Sequence, residues 1–197
     1  MRSTTARRTR STSTRSSRTS RGPRSTGASR ARTRRSPRCA RDPVGRTDTG
    51  SIVIAAPADA IYRAFADPAA LMAWLPPGNM TGRALAYDFR PGGSYRIELA
   101  YRDDTAGKTA GNVDVSTGRF VALEPGRRIV QSVEFESADA AFGGEMIMTW
   151  TFEPLGERET RVAIVATNVP AGVSEEDHAT GLRSSLDNLA RYVTGRA

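Results

Sequence analysis

The sequence predicts an α+β fold in which a curved antiparallel sheet of about seven strands wraps one long C-terminal helix, with two short helices after the first strand. Three observations predict it. Residues 174–193 carry one apolar stripe at helical spacing, formed by Leu182, Leu186, Leu189 and Val193. Residues 83–167 alternate mostly with period two, which is typical of strands with one buried face. Residues 58–75 hold two short apolar runs at helical spacing, which meet at residues 67–68.

The first strand is predicted at residues 51–55, where Ile52 and Ile54 point to one side. Pro57 suits the start of the helix at residues 58–66, and Asp67-Pro68 ends that helix and begins a second one. Pro76-Pro77-Gly78 stops the second helix.

The strands that follow are separated by recognisable turns. The strand at residues 83–90 ends at Pro91-Gly92-Gly93, and residues 94–102 alternate clearly. The alternation slips near Gly118 in the strand at 113–124, which predicts a bulge there. Residues 124–127, with Pro125 and Gly126 in the centre, fit a type II turn. Further strands are predicted at residues 128–136, 145–153 and 161–167.

The long C-terminal helix has a marked beginning. Ser174 with Asp177 three residues later resembles a capping box, and the acidic residues 175–177 suit the positive end of a helix dipole. An amphipathic helix of this length needs an apolar partner, so we expect the sheet to cover its stripe.

The charge of the chain is distributed unevenly. Residues 1–50 contain 15 Arg and two acidic residues, so this segment carries +13 of a whole-chain net charge of +8 and the remainder carries −5. A mildly acidic domain argues against a nucleic-acid-binding face, because phosphates are met by clustered Lys and Arg. With one cysteine, Cys39, and one histidine, His178, we expect no disulfide framework, no metal site and no cofactor. No apolar run approaches the roughly 18–20 residues that span a bilayer, so a cytoplasmic protein without membrane contact is expected.

Residues 1–47 are expected to form a disordered tail, with the folded domain at residues 48–195. Residues 1–41 contain no Phe, Trp, Tyr, Leu, Ile or Val, so nothing there offsets the entropy of ordering the chain. Three interpretations stay open: a segment similar to a transit peptide, a basic arm for acidic partners, or a mis-assigned translation start. Under the third, Val44 is the alternative initiation position.

Five segments carry a resemblance to a known family: IVIAAPADAIYRAFADPAALMAWLPP, RPGGSYRIEL, GRFVALEPGRRIVQSVEF, EMIMTWTFEP and NVPAGVSEEDHATGLRSSLDNLARYV. Their order resembles the helix-grip arrangement of the START-like (SRPBCC) superfamily. Within it, they are similar to the branch named after the activators of heat-shock protein 90 ATPase, with polyketide cyclase-like proteins as neighbours. The resemblance covers residues 48–193. It implies a fold that serves ligand carriers, cyclases, hydrolases and cochaperone-type domains.

The candidate site is the space between the long helix and the sheet. Large apolar and aromatic side chains adapt to apolar ligands, and a few polar groups orient them. Gln131, Tyr95 and Tyr101 are the candidates for orienting a ligand. His178 is the one group expected to titrate near neutral pH, and as a general acid or base it needs a charged partner; Glu175 and Asp177 are its neighbours in sequence. The predicted ligand-binding residues are Trp74, Tyr95, Ile97, Leu99, Tyr101, Gln131, Phe135, Met146, Met148, Trp150, His178, Leu182 and Leu186.

The leading hypothesis is therefore binding of a small, largely apolar molecule, without covalent catalysis. Two alternatives stay open. One is a cyclase or hydrolase acting on a polyketide-like substrate, in which His178 or a tyrosine moves a proton. The other is a chaperone-linked stress-response module that uses the outer surface.

Overall fold

One antiparallel sheet of seven strands and a long C-terminal helix form the described part of the molecule. The computed structural model describes residues 45–195, so the predicted disordered tail lies almost wholly outside the described residues. The elements are β1 (Arg46–Ile54), α1 (Ala58–Ala66), α2 (Pro68–Trp74), β2 (Met80–Tyr87), β3 (Ser94–Tyr101), β4 (Val113–Glu124), β5 (Arg128–Phe135), a 3-10 turn (Ala140–Phe142), β6 (Met146–Gly156), β7 (Glu159–Val169) and α3 (Glu175–Thr194).

The strands lie in the order β1-β7-β6-β5-β4-β3-β2, and every neighbouring pair is antiparallel. The sheet is curved, and β1 and β2 form its two edges because α1 and α2 carry the chain from one edge to the other. The predicted α+β helix-grip architecture is confirmed.

Helix α3 begins where the capping pattern predicts. The Ser174 hydroxyl accepts a hydrogen bond from the Asp177 backbone N–H at 3.1 Å and donates one to the Asp177 carboxylate at 2.7 Å. The helix ends at Gly195, whose φ of 64° lies in the left-handed region that glycine adopts readily.

The turn between β4 and β5 also follows its sequence. Gly126 has a φ of 65°, and the Arg127 N–H donates to the Glu124 carbonyl at 2.9 Å. Positive φ at the third position is what a type II turn requires of its glycine.

The bulge predicted at Gly118 is wrong in its position. The β4–β5 register stays constant through Gly118 and shifts between Phe120 and Ala122. Gly118 serves a different purpose: a Cβ built there would lie 1.9 Å from the Ser132 carbonyl oxygen and 2.5 Å from the Tyr95 hydroxyl. The hydrophobic alternation is interrupted at Gly118 because there is no room for a side chain at this position. No extra residue is inserted into the strand there.

Strand boundaries differ from prediction mainly at the ends. β1 begins at Arg46, two residues before the predicted domain boundary and five before the predicted strand. β2 ends at Tyr87 instead of residue 90, and β7 runs from Glu159 to Val169. These ends are polar, so hydrophobic alternation does not mark them, and pairing with a neighbouring strand decides where they stop.

The inner face of the sheet, meaning the face towards the helices, holds the core. Helix α3 lies over β1, because a Cβ on Gly50 would be 3.2 Å from Leu186 Cδ1 and 3.7 Å from Leu182 Cβ. Helix α2 lies over β2, since a Cβ on Gly82 would be 3.0 Å from Met72 Sδ. No helix within residues 45–195 is both long and apolar enough to cross a membrane.

Candidate functional site on the inner face of the sheet

The predicted ligand-binding residues divide into two groups by burial. Seven are buried in one continuous core cluster: Trp74, Tyr95, Ile97, Met146, Trp150, Leu182 and Leu186. Six are half-buried: Leu99, Tyr101, Gln131, Phe135, Met148 and His178. The strand residues among them share the inner face, so the structure brings them to one side of the sheet.

The buried aromatic residues pack chiefly against one another. Phe65 of α1 contacts Trp74 and Trp150 edge-on, with ring centroids 4.8 Å and 5.0 Å away. The Trp74 indole N–H donates to the Ala64 carbonyl at 2.9 Å. These aromatic residues pack α1 and α2 against β6, and the hydrogen bond of Trp74 holds α2 against α1.

Tyr95 is already engaged by the protein. Its hydroxyl donates a hydrogen bond to the Ser132 carbonyl at 2.6 Å, through the space that Gly118 leaves open. Burial raises the pKa of Tyr95 far above its ordinary value, with a smaller contribution from Tyr87. Tyr95 therefore acts as a neutral donor inside the core and does not offer a free hydroxyl to a ligand.

Two residues in the middle of the inner face are accessible although their neighbours are not. On β6, Met148 is half-buried, whereas Met146 and Trp150, which point to the same face, are 3% and 2% exposed. On β5, Gln131 is half-buried between Ile129 and Val133, which are 0% and 6% exposed. Gln131 and Met148 are opposite each other in the register. We call this partly accessible part of the inner face the Met148–Gln131 depression.

A charged cluster lies in the same cross-strand row. The row crosses four neighbouring strands. Asp48 of β1 pairs with Ala166 of β7, Ala166 pairs with Met148 of β6, and Met148 pairs with Gln131 of β5. Asp48 Oδ2 lies 2.6 Å from His178 Nδ1, and the Arg46 guanidinium donates to the same carboxylate at 2.8–3.1 Å. The side chains of Asp48 and His178 are only 8% and 14% exposed.

The charged partner that His178 needs is therefore Asp48, not a neighbour in sequence. Burial by itself raises the pKa of the Asp48 carboxyl, but the hydrogen bonds from Arg46 and His178 outweigh burial and lower that pKa below its ordinary value. Asp48 is consequently a carboxylate at neutral pH. Sequence reasoning missed it, although the spacing of Asp48, Ile52 and Ile54 places all three on one face of an extended strand.

A second buried carboxylate lies near the other side of the inner face. Asp114 of β4 is 6% exposed and opposite Leu99 of β3. It accepts hydrogen bonds from the backbone N–H of Lys108 and from its ammonium group. The same ammonium lies 5.5 Å from the centroid of the Phe135 ring. The loop between β3 and β4 is thereby fixed beside two of the predicted ligand-binding residues.

An open surface cleft of about 640 Å³ lies elsewhere, around the turn between β4 and β5. Its lining mixes charged and apolar residues: Glu124, Arg127, Arg128, Thr151, Phe152, Glu153 and Pro154. None of the predicted ligand-binding residues belongs to it. Among residues 45–195, no group of three or more His, Cys, Asp and Glu side chains is placed to hold a metal ion.

The fold is shared with many solved structures. A crystal structure of a protein from Chromobacterium violaceum is 35% identical, covers 75% of this chain and 96% of its own, and superposes with a TM-score of 0.67. A protein from Mycobacterium smegmatis is 21% identical, with 77% and 92% covered and a TM-score of 0.60. DynU16, a protein of the dynemicin biosynthetic locus, is 21% identical, with 75% and 47% covered and a TM-score of 0.54.

The search of curated proteins gives no match to this chain. A family model does match. It is described as "Activator of Hsp90 ATPase homolog 1-like protein" and covers residues 55–194, which is most of the described domain. The resemblance inferred from the five sequence segments is thereby confirmed. The chain belongs to the family of Activator of Hsp90 ATPase homolog 1-like proteins.

Proposed function

We propose that the domain binds a small, largely apolar molecule on the inner face of the sheet, between α3 and the central strands. The observation that carries the proposal is the Met148–Gln131 depression. A sheet residue facing a filled core is sealed like its neighbours two positions away, whereas Met148 and Gln131 are half-buried between sealed neighbours on both sides. Space of this kind in the middle of an inward face is what a ligand would occupy.

The residues around the depression suit an apolar ligand with one polar group. Met148 supplies a flexible, polarisable surface, and Leu99 and Phe135 supply half-buried apolar surface farther along the inner face. The Gln131 amide makes no side-chain hydrogen bond within the described residues, so it has both a donor and an acceptor to offer. Pockets of mostly apolar lining with few polar groups are typical of small-molecule sites.

Membership in the family and the fold shared with DynU16 are compatible with this function. DynU16 shares only the fold with this chain, and a shared fold favours no particular ligand. The chaperone-linked alternative stays a prediction. It is tested by measuring whether the full chain stimulates the ATPase of a purified chaperone.

The test of the proposal is binding of Nile red, a neutral apolar dye whose emission rises in apolar surroundings. We expect saturable binding by the wild type and a loss of at least ten-fold in affinity in Met148→Trp, because the larger indole fills the depression. The matched control is Ile147→Trp, one residue earlier on the opposite face of β6. We expect this control to stay within two-fold of the wild type.

Absence of saturable Nile red binding would contradict the proposal, and so would equal effects of the two tryptophan variants. Native mass spectrometry of the chain purified from its own host gives an independent measurement. A co-purifying small molecule that is retained by the wild type and lost in Met148→Trp would identify the ligand.

A further inference from the structure

We propose that Lys108, held by Asp114, is a ligand-binding residue at one corner of the inner face, and that it selects an uncharged molecule with an oxygen acceptor. The inference rests on the proposed function, because Leu99 and Phe135 supply the apolar surface of this corner. It adds the chemical class of the ligand. We call this region the Lys108 corner, and its members are Leu99, Tyr101, Lys108, Asp114, Ser116 and Phe135.

The strand register brings the Lys108 corner together. Leu99 of β3 is opposite Asp114 of β4. Two residues farther along β4, and therefore on the same face, Ser116 is opposite Phe135 of β5. The loop between β3 and β4 then brings the Lys108 ammonium to this face, bound to the Asp114 carboxylate and 5.5 Å from the centroid of the Phe135 ring. Three strands and one loop thus form the corner.

The Lys108 corner is open to a ligand without a path through the core. Leu99, Ser116 and Phe135 are each half-buried, so each has accessible surface of its own. The Lys108 side chain is 23% exposed, whereas the Asp114 side chain that holds it is 8% exposed. A ligand would therefore contact the ammonium directly, while the carboxylate keeps that ammonium in position.

The ammonium of Lys108 has hydrogen-bond donors to offer. A lysine ammonium carries three N–H groups, and within the described residues only Asp114 accepts from it. Ser116 and Tyr101 add two half-buried hydroxyl groups that make no hydrogen bond through their side chains within residues 45–195. A few polar groups that converge beside apolar surface are typical of a small-molecule site.

The charge of the corner determines which ligand it prefers. The ammonium of Lys108 and the carboxylate of Asp114 offset each other, and the rest of the loop contributes Arg102, Asp103 and Asp104, so the region has no net positive charge. An anion would meet these carboxylates, whereas the oxygen of a ketone, ester or ether would not be repelled. Because a hydrogen bond from a charged donor is stronger than a neutral one, a single oxygen atom can orient the ligand.

A structural interpretation of the same ion pair is that it fastens the loop to β4. The backbone already does so, because the Lys108 N–H donates to the Asp114 carboxylate and the Thr109 hydroxyl accepts from the Val115 N–H at 2.7 Å. The two interpretations differ in one measurable respect. Only a binding role makes the choice between ligands depend on the Lys108 ammonium.

The experiment compares three naphthalenes that differ in one substituent. They are 2-acetylnaphthalene, which is a neutral ketone, 2-isopropylnaphthalene, which has the same shape without the oxygen, and 2-naphthoate, which is an anion. Binding to the full-length chain is measured by equilibrium dialysis at pH 7. We expect saturable binding of the ketone by the wild type, with an affinity at least ten-fold higher than that of either other probe.

The variants separate the ammonium from the carboxylate. Lys108→Met keeps the apolar stem and removes the ammonium, so the ketone should lose its advantage over 2-isopropylnaphthalene, and Lys108→Arg should retain most of it. Asp114→Asn leaves the ammonium without its carboxylate, so 2-naphthoate should gain at least ten-fold relative to the ketone. Arg119→Met is the matched control, because it removes an exposed positive charge from the other face of β4, and its affinity ratios should stay within two-fold of the wild type.

Three outcomes would overturn the inference: no saturable ketone binding by the wild type, a ketone advantage that persists in Lys108→Met, or 2-naphthoate binding more tightly than the ketone to the wild type. Circular dichroism verifies that each variant is folded, and the two Lys108 variants decide the inference if Asp114→Asn is not. The proposed function is tested by another probe and another variant, since absence of Nile red binding contradicts that function, and Nile red binding without a ketone advantage overturns the inference alone.

Discussion

Replacing Tyr95 by phenylalanine tests the central part of the core with a single oxygen atom. At pH 7 the change removes the hydrogen bond from the Tyr95 hydroxyl to the Ser132 carbonyl, which is 2.6 Å long and buried. A buried acceptor that loses its donor costs about 1–3 kcal/mol. We expect Tyr95→Phe to lower the free energy of unfolding by about 1.5 kcal/mol, which corresponds to roughly 3–6 °C in Tm for a domain of about 150 residues.

The same hydroxyl predicts that this difference disappears at high pH. Burial raises the pKa of Tyr95 in the folded state, whereas in the unfolded chain tyrosine ionises near pH 10. Stability that depends on a raised pKa is fully present below the unfolded value and is lost as pH rises above it. The wild type therefore loses about 1.4 kcal/mol per pH unit above pH 10 through this residue, and Tyr95→Phe does not.

The assay is urea unfolding followed by circular dichroism between pH 7 and pH 11. We expect the wild type to exceed Tyr95→Phe by about 1.5 kcal/mol at pH 7, and the two curves to meet near pH 11 with equal m-values. Tyr101→Phe is the control, because that hydroxyl makes no hydrogen bond within the described residues. A gap between wild type and Tyr95→Phe that stays constant up to pH 11 would refute the reasoning.

Three further changes probe separate features. Gly118→Ala should cost about 3 kcal/mol or more, measured as a fall in the urea midpoint, because its Cβ would lie 1.9 Å from a backbone oxygen that cannot move freely. Asp48→Asn should destabilise the domain at pH 7, but the gap to wild type should close as pH falls below about 4, since a lowered folded-state pKa gives stability that acid removes. Gly181→Ala should stabilise the domain by about 1 kcal/mol in thermal unfolding, because the new methyl group meets nothing within 4 Å and alanine favours helix; a lower Tm would contradict the open space beside α3.

Most of the fold was predictable because its elements carry strong local signals. The leucine stripe and the Ser174 cap define α3, the prolines separate α1 from α2, and Tyr95 to Tyr101 alternate without interruption. The strand order and the edge position of β1 were not readable from local patterns. They depend on pairing between residues more than a hundred positions apart, such as Ile52 with Val162.

The candidate site was predictable as a face but not as a set of contacts. The alternation of the strands places Tyr95, Gln131 and Met148 on the inner side of the sheet. It does not distinguish Tyr95, whose hydroxyl is bound to a backbone carbonyl, from Met148, which is partly accessible. That difference arises from what packs above each residue, which is a tertiary property.

The contact between Asp48 and His178 depends on tertiary structure and not on local sequence patterns. Asp48 is 130 residues away from His178 in sequence, and the polar start of β1 gave no apolar pattern that would extend the strand back to it. Once β1 pairs with β7 and α3 lies over β1, the carboxylate and the imidazole meet, because Asp48 near the start of β1 lies beneath His178 in the first turn of α3. A buried carboxylate on an inner strand face requires charged or polar partners, and Arg46 and His178 are those partners.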